Sequence, residues 1–312
     1  MDSRSQGSRR PRAAKLLAHS KAYWEWRQLF ISTYLYDEKR EIAQSDMMKY
    51  EDYKSVYESL NDPADIKRLA AKLNLDEELL TVIYTQRTVR ETTKKFYKVK
   101  RNADRMVREW KNGSSILSIS RKWRFPPILT GLMIFQQLGF SKKQFWKYVR
   151  EPDKIEKART RKEIVEITKA DIVYSPAASE SQCKRGIWGE TMLREWLNSH
   201  NICYRTERDL RGEYPKTPDC LFGEPIKVNG WEINWIESKA SFGDSIEVRK
   251  NIRNQLIPYN ELFGDGLVVY WFGVVDGIET PEGIIVSDAS LLRHACEKTG
   301  NGEAGNRKYY AH

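Results

Sequence analysis

The sequence predicts an α/β protein in two parts: a basic all-α N-terminal region containing helix-turn-helix units, then a C-terminal α/β domain whose elements run helix, three strands, helix, strand (αβββαβ). Three observations carry that expectation. Apolar residues recur every three or four positions from Tyr23 to Gln137, the period of helices with one buried face. Beyond residue 200, short runs rich in β-branched and aromatic residues take over, bounded by Gly, Asn and Pro. The charge divides near the same place. The formal net charge of +10 is made of +13 over residues 1–180, with 37 Lys and Arg against 24 Asp and Glu, and −3 over residues 181–312.

A chain of 312 residues with 40% hydrophobic and 12% aromatic content can bury a sizeable core in two units. It contains no run of about 18 apolar residues and no apolar leader, so neither a membrane span nor secretion is expected. The expected home is intracellular: cytoplasm or nucleoid in a prokaryote, nucleus in a eukaryote. Cys183, Cys203, Cys220 and Cys296 stand far apart, as do the four histidines, which argues against zinc.

Residues 1–20 form an Arg-rich, apolar-poor tail, a candidate for disorder, targeting or phosphate contact. The helical region spans 21–174. Trp24, Trp26, Leu29, Phe30 and Tyr34 start it, and Tyr53, Val56, Tyr57 and Leu60 continue it. Asp62-Pro63 opens a helix with Ile66, Leu69 and Leu73 inward; Asn74-Leu75 turns the chain and Asp76 caps the next helix, the first helix-turn-helix unit. A similar beat runs from Ser114 to Trp123, breaks at Pro126-Pro127 and resumes to Gln137.

Tyr84–Arg124 holds 13 Lys and Arg against 3 acids. Arg87, Arg90, Lys94, Lys98, Arg101, Arg105 and Arg108 recur at helical spacing as one stripe, with Phe96, Tyr97, Trp110 and Trp123 interleaved. A positive stripe attracts a polyanion by releasing its counterions, so nucleic acid is the expected partner, held by its phosphates. A solvated basic face is the alternative.

Residues 175–185, through Ser175-Pro176, read as a linker, 186–299 as the α/β domain and 300–312 as a tail. Gly186–Ser199 is a helix with Glu190 at the edge of its apolar face. Strands follow at 201–206, 216–222 and 231–238, the last entered through Asn229-Gly230. Asp244 with Glu247 starts a helix through Phe263, Leu267–Val275 is a buried central strand, Gly283–Ser287 a last strand and Ala289–Cys296 a short helix.

Alternation along the third strand points Glu237 and Lys239 the same way as Ile233 and Trp235, so an acid and an amine emerge from an apolar face. Asp219, extended by Pro218, sits on the neighbouring strand. Two carboxylates so placed repel unless a cation lies between them, and hard oxygen ligands suit Mg²⁺ or Mn²⁺. Lys239 can then orient water or neutralise charge developing on a phosphate.

Pro218-Asp219 followed by Glu237-Ser238-Lys239 resembles the signature of the PD-(D/E)xK nuclease superfamily. The fuller Lys216-Thr217-Pro218-Asp219 and Trp235-Ile236-Glu237-Ser238-Lys239-Ala240-Ser241-Phe242-Gly243-Asp244 is similar to its TPD branch, known from archaeal TPD-domain proteins and the animal codanin-interacting nucleases. The resemblance implies a restriction-endonuclease-like fold and a metal-dependent endonuclease acting on DNA, in some relatives at junctions or branches. It implies metal held by Asp219, Glu237 and Glu190, with Lys239 and Gln255 in the catalytic set. Gln255 and Tyr259 match a Gln-x-x-x-Tyr pattern of the superfamily, although packing alone accounts for Tyr259. Arg249, Lys250 and Arg253 are candidate phosphate contacts. A homodimer is an option the resemblance brings, and a codanin-like partner one if the chain is eukaryotic. RNA stands beside DNA as substrate, because neither stripe nor site reads a 2′-hydroxyl. A non-catalytic nucleic-acid-binding adaptor is the competing reading.

Overall fold

Helices begin where capping residues stand. In the computed structural model, which describes residues 48–293 and the strand 296–298, α1 (Tyr50–Ser59), α2 (Ala64–Leu73) and α3 (Glu77–Arg101) follow one another. The basic tail, the aromatic run from Trp24 to Tyr34 and the tail 300–312 lie outside the described residues. Asp62 accepts the Ala64 N–H, Asp76 accepts those of Glu78 and Leu79, and Asn74 at φ 53° turns the chain between α2 and α3.

α4 (Ala103–Lys111), α5 (Ile116–Trp123), α6 (Pro127–Gln137), α7 (Lys142–Arg150) and α8 (Ala158–Ala170) enclose a core that includes Met106, Ile116, Ile128 and Phe145. Every residue of α6 from Thr130 to Phe135 is buried. A helix that reads DNA must present a face to a groove. The second helix-turn-helix beat is therefore a core unit, not a reading head.

The expected linker is also different. Ser175 accepts the Ala178 N–H, Pro176 occupies the first turn, and α9 runs unbroken over Pro176–Ser199. Ser-Pro reads as a loop in isolation, yet the same pair opens a helix when apolar residues follow.

The α/β part continues with β1 (Tyr204–Thr206), the short α10 (Glu207–Leu210), β2 (Cys220–Val228) and β3 (Trp231–Lys239). Then come α11 (Ser245–Asn251), a π-helical turn (Ile252–Leu256), α12 (Ile257–Phe263), β4 (Gly266–Tyr270) and β5 (Ile284–Asp288). Among the described residues these five strands form a mixed sheet in sequence order, with β6 (Cys296–Lys298) paired on β2. β1, β2 and β3 are antiparallel; β4 lies parallel between β3 and β5 and is buried throughout. The expected nine-residue strand from Leu267 ends at Tyr270, because Gly273 at φ 96° turns the chain and Val274 and Val275 bridge to Gly243 and Met48. A 3₁₀ turn, Ala289–Arg293, stands where the last helix is expected.

One sheet face packs on Leu193 and Leu197 of α9, the other on Val248, Leu256 and Tyr259 of the α11–α12 segment. Gly189 allows the first approach: a Cβ there would lie 2.6 Å from the Trp271 ring.

The helical part docks on the start of α11. Gln86 donates to the Phe242 carbonyl and accepts the Phe242 N–H, both at 3.0 Å, and Tyr53 stacks on the Phe242 ring. Arg90 grips both oxygens of Asp244 at 2.6 and 2.9 Å, and the Tyr53 hydroxyl donates to the same carboxylate. Asp244 also caps α11 through the N–H groups of Ile246 and Glu247. Five donors satisfy one buried carboxylate, which removes the penalty of its burial. Among the described residues no helix is long and apolar enough to cross a membrane.

Candidate active site

The three motif residues meet because β2 and β3 are adjacent and antiparallel, with Cys220 opposite Ile236. The Ser238 N–H donates to Asp219 Oδ2 at 2.8 Å, and the Asp219 N–H donates to Glu237 Oε2 at 3.2 Å. Each carboxylate is thus fixed by the other strand's backbone. Lys239 Nζ donates to Glu237 Oε1 at 2.6 Å and to Gln255 Oε1 at 2.8 Å, joining β3 to the π-helical turn. Asp219 Oδ1 has no hydrogen-bond donor among the described residues.

The surroundings are dry for so polar a cluster. The side chains of Glu237 and Lys239 are 6% and 18% exposed. Burial first, then the charge of Glu237 and more weakly of Glu190, pushes Asp219 up to about 7, against the pull of the Ser238 N–H and Lys239. Burial also raises Glu237, although Lys239 beside it acts in the opposite direction. Two carboxylates that resist ionisation together, with an oxygen to spare, form a pair of hard oxygen donors that could hold a divalent cation.

Helix α12 and the turn before it frame the site from the side. Pro258 has no N–H, so the Asn254 carbonyl one turn earlier loses its helical donor. Lys216 Nζ donates to that carbonyl at 3.1 Å. The Tyr259 hydroxyl donates to the Thr217 carbonyl at 2.8 Å, and burial together with the charges of Glu237 and Asp219 keeps the phenol protonated. Tyr259 therefore both packs, 3% exposed, and holds the strand leading to Asp219. Lys216, Thr217 and the π turn escape sequence reading of a catalytic role; the signal that could have found them is a proline inside a helical pattern.

Glu190 lies on α9 and pairs with Arg194 at 2.8 Å, and its charge reaches both Asp219 and Glu237. Among the described residues no three Asp, Glu, His or Cys side chains converge as a metal-binding group. The Trp271 indole N–H donates to Ser238 Oγ at 2.8 Å, steadying the residue whose backbone holds Asp219.

The basic stripe splits. Arg87 is tied to the Leu60 carbonyl and Asn61, over the Tyr57 ring, and Arg90, its side chain 14% exposed, belongs to Asp244 and Glu247. These two are fold contacts rather than free phosphate ligands: Arg87 is committed to the end of α1 and Arg90 to the start of α11. Lys94, Lys98, Arg101 and Arg105 are exposed, Lys94 near Glu91 and Arg105 near Glu109. Arg105 sits on α4, since α3 ends at Arg101. Arg249 and Arg253 are exposed on the segment that carries Gln255, and Lys250 pairs with Glu247.

Comparison with known proteins gives a consistent picture. The family model described as "Protein of unknown function TPD sequence-motif" matches residues 156–290. CDAN1-interacting nuclease 1 of Danio rerio is 36% identical over 143 residues, covering 45% of this chain and 48% of that protein. The chain thus spans about half the length of that relative. The Bos taurus protein of the same name is 29% identical and the Homo sapiens one 30%, each covering 61% of this chain and 69% of the relative. No solved structure matches. With the motif strands paired in space, and with identity extending over more than two thirds of the human protein, the chain belongs to the TPD family that includes the CDAN1-interacting nucleases.

Proposed function

We propose that the protein is a metal-dependent endonuclease of the restriction-endonuclease-like fold that hydrolyses DNA phosphodiester bonds. The observation that carries this reading is the cluster of Asp219, Glu237, Lys239 and Gln255, desolvated and cross-bonded at the end of the central strand β3. Asp219 and Glu237 hold Mg²⁺ or Mn²⁺, with Glu190 the further acid nearby. When bound, the metal supplies Lewis acidity toward the phosphate and lowers the pKa of an attacking water. Lys239, held by Glu237 and Gln255, presents an ammonium to the attacking water and to the charge that develops on the phosphoryl oxygens. Gln255 orients that ammonium, and the Ser238 and Asp219 N–H groups keep both carboxylates in place. Arg249 and Arg253 contact the flanking backbone phosphates.

The test is cleavage of linear duplex, single strand, flap, four-way junction and RNA by wild type and Asp219→Ala with Mg²⁺, Mn²⁺ or EDTA. Cutting of DNA that needs metal and is lost in the variant is expected, and preference for the junction would show structure selectivity. Cleavage that survives Asp219→Ala or EDTA overturns the reading.

A second reading rests on the relatives' names, which state an interaction with CDAN1. A codanin-like partner of this chain is tested by co-purification, and binding without any cleavage would favour the adaptor reading.

A further inference from the structure

The face of α3 that carries Leu80, Ile83, Arg87 and Arg90 continues, within about 100° of arc, through Lys94, Tyr97, Lys98 and Arg101. Its first half is covered. Leu80 and Ile83 are buried, and Arg87 and Arg90 bond to α1's end and to Asp244. Its second half is bare: Lys94, Lys98 and Arg101 are exposed, and Tyr97 is 75% exposed. The helix does not fray there, because the opposite side, Thr92 and Val99, is buried and Phe96 packs on the helical core. The bare half is therefore a rigid rod extending about 16 Å beyond the Arg90–Asp244 junction.

Two features on this rod need separate explanations. Lys98 and Arg101 have no acidic partner among the described residues, and Lys94 only the exposed Glu91. A solvated charge stripe accounts for these cations but leaves Tyr97 unexplained. An exposed phenol ring amid them is not part of any core cluster; among the described residues its ring contact is with Phe96, edge-on at 5.7 Å. Cations one turn apart with a flat aromatic between them suit a nucleic-acid strand, since phosphates take the charges and an unpaired base takes the ring face.

We infer that the Lys94–Arg101 half of α3 is a nucleic-acid arm, on which Lys94, Lys98 and Arg101 meet backbone phosphates and Tyr97 stacks on an unpaired base of the strand. This rests on the nuclease reading only in taking the bound strand to be the substrate. The ligand class it selects is DNA with a single-stranded segment, because a fully paired duplex offers no free base face.

The experiment is equilibrium binding of the full chain, with EDTA present, to a labelled 20-base-pair duplex with and without a ten-nucleotide overhang, across a salt series. Lys94→Gln/Lys98→Gln/Arg101→Gln is expected to weaken both probes at least tenfold and to flatten the salt dependence by two to three units of slope, as about three lost phosphate contacts require. Tyr97→Ala is expected to weaken the overhang probe about tenfold and leave the blunt duplex unchanged, while Tyr97→Phe binds like wild type. Overhang binding unchanged in Tyr97→Ala, an unaltered salt slope in the triple variant, or no binding by wild type overturns the inference. Cleavage of the same probes after Mg²⁺ addition separates the two proposals. Binding losses without any wild-type cleavage sink the nuclease reading and keep the arm; cleavage intact in a triple variant that binds normally does the reverse.

Discussion

Charged groups at the end of β3 and along α3 are similar in kind and opposite in fate. At the end of the central strand, the motif groups face one another: Lys239 bonds Glu237 and Gln255, and each carboxylate is held by a backbone N–H of the adjacent strand. Along α3, one stripe of cations divides at Arg90, sealed against Asp244 up to that point and open beyond it. The difference teaches that residue type sets what a cation can bind, while the surface packed against it sets whether it is free to do so. A buried cation is defined by its partner; an exposed one is defined by what arrives.

The strongest way to break the comparison is at the end of β3. Lys239→Ala removes an ammonium that water cannot replace in a dry site, and a loss of about 10²–10³-fold in cleavage rate is expected. Single-turnover kinetics that stay within a few-fold of wild type would mean that the buried lysine is only a counter-ion. Next comes Arg90→Ala against Arg101→Ala. Removing Arg90 strands Asp244 in the core, at a cost of about 3 kcal/mol in urea unfolding, whereas Arg101→Ala stays within about 0.5 kcal/mol. Equal losses would erase the proposed division of α3.

A smaller effect of opposite sign is expected from Asp219→Asn. Burial and Glu237 raise the folded-state pKa of Asp219 to about 7, above its unfolded value of about 4. The folded state holds a proton there that the unfolded state has released, so this group costs stability as pH climbs from about 4 through about 7. Asp219→Asn is therefore expected to raise the metal-free protein's stability at pH 8 and to make no difference at pH 3.5. A destabilised variant at pH 8 would show that the carboxylate is content as an anion. The smallest effect is at Lys216→Met. The Asn254 carbonyl can turn to water, so stability is expected to change by less than about 1 kcal/mol, while cleavage falls several-fold because the strand before Asp219 loses one of its two ties to the α12 segment. Unaltered cleavage would assign that tie to the fold alone.

The motif strands, the cap at Asp76 and the cap at Asp244 were all legible before folding. Each depends on neighbours within a turn or on strand alternation, which a linear sequence displays. Asp219 and Glu237 were legible as neighbours on paired strands, but strict alternation was not: Ile233 packs on the α9 side and Trp235 on the α11–α12 side, because the β2–β3 pairing carries a register shift. Ser175-Pro176 is ambiguous locally, and only the packing of α9 on the sheet decided between linker and helix.

By itself, then, the sequence determined which chemistry the chain can attempt: two acids, an amine and an amide at spacings that strands and helices convert into proximity. The tertiary structure alone decided which cations are available to a ligand. Arg90 and Arg101 share a residue type and one helical face, yet Asp244 comes from 154 positions away to occupy the first. It also decided that Glu190 pairs with Arg194 beside the motif carboxylates, and that Lys216 reaches the carbonyl freed by Pro258. The physical reason is common to all three. A side chain's partners are set by which surfaces are pressed together, and long-range packing carries no periodicity in the chain.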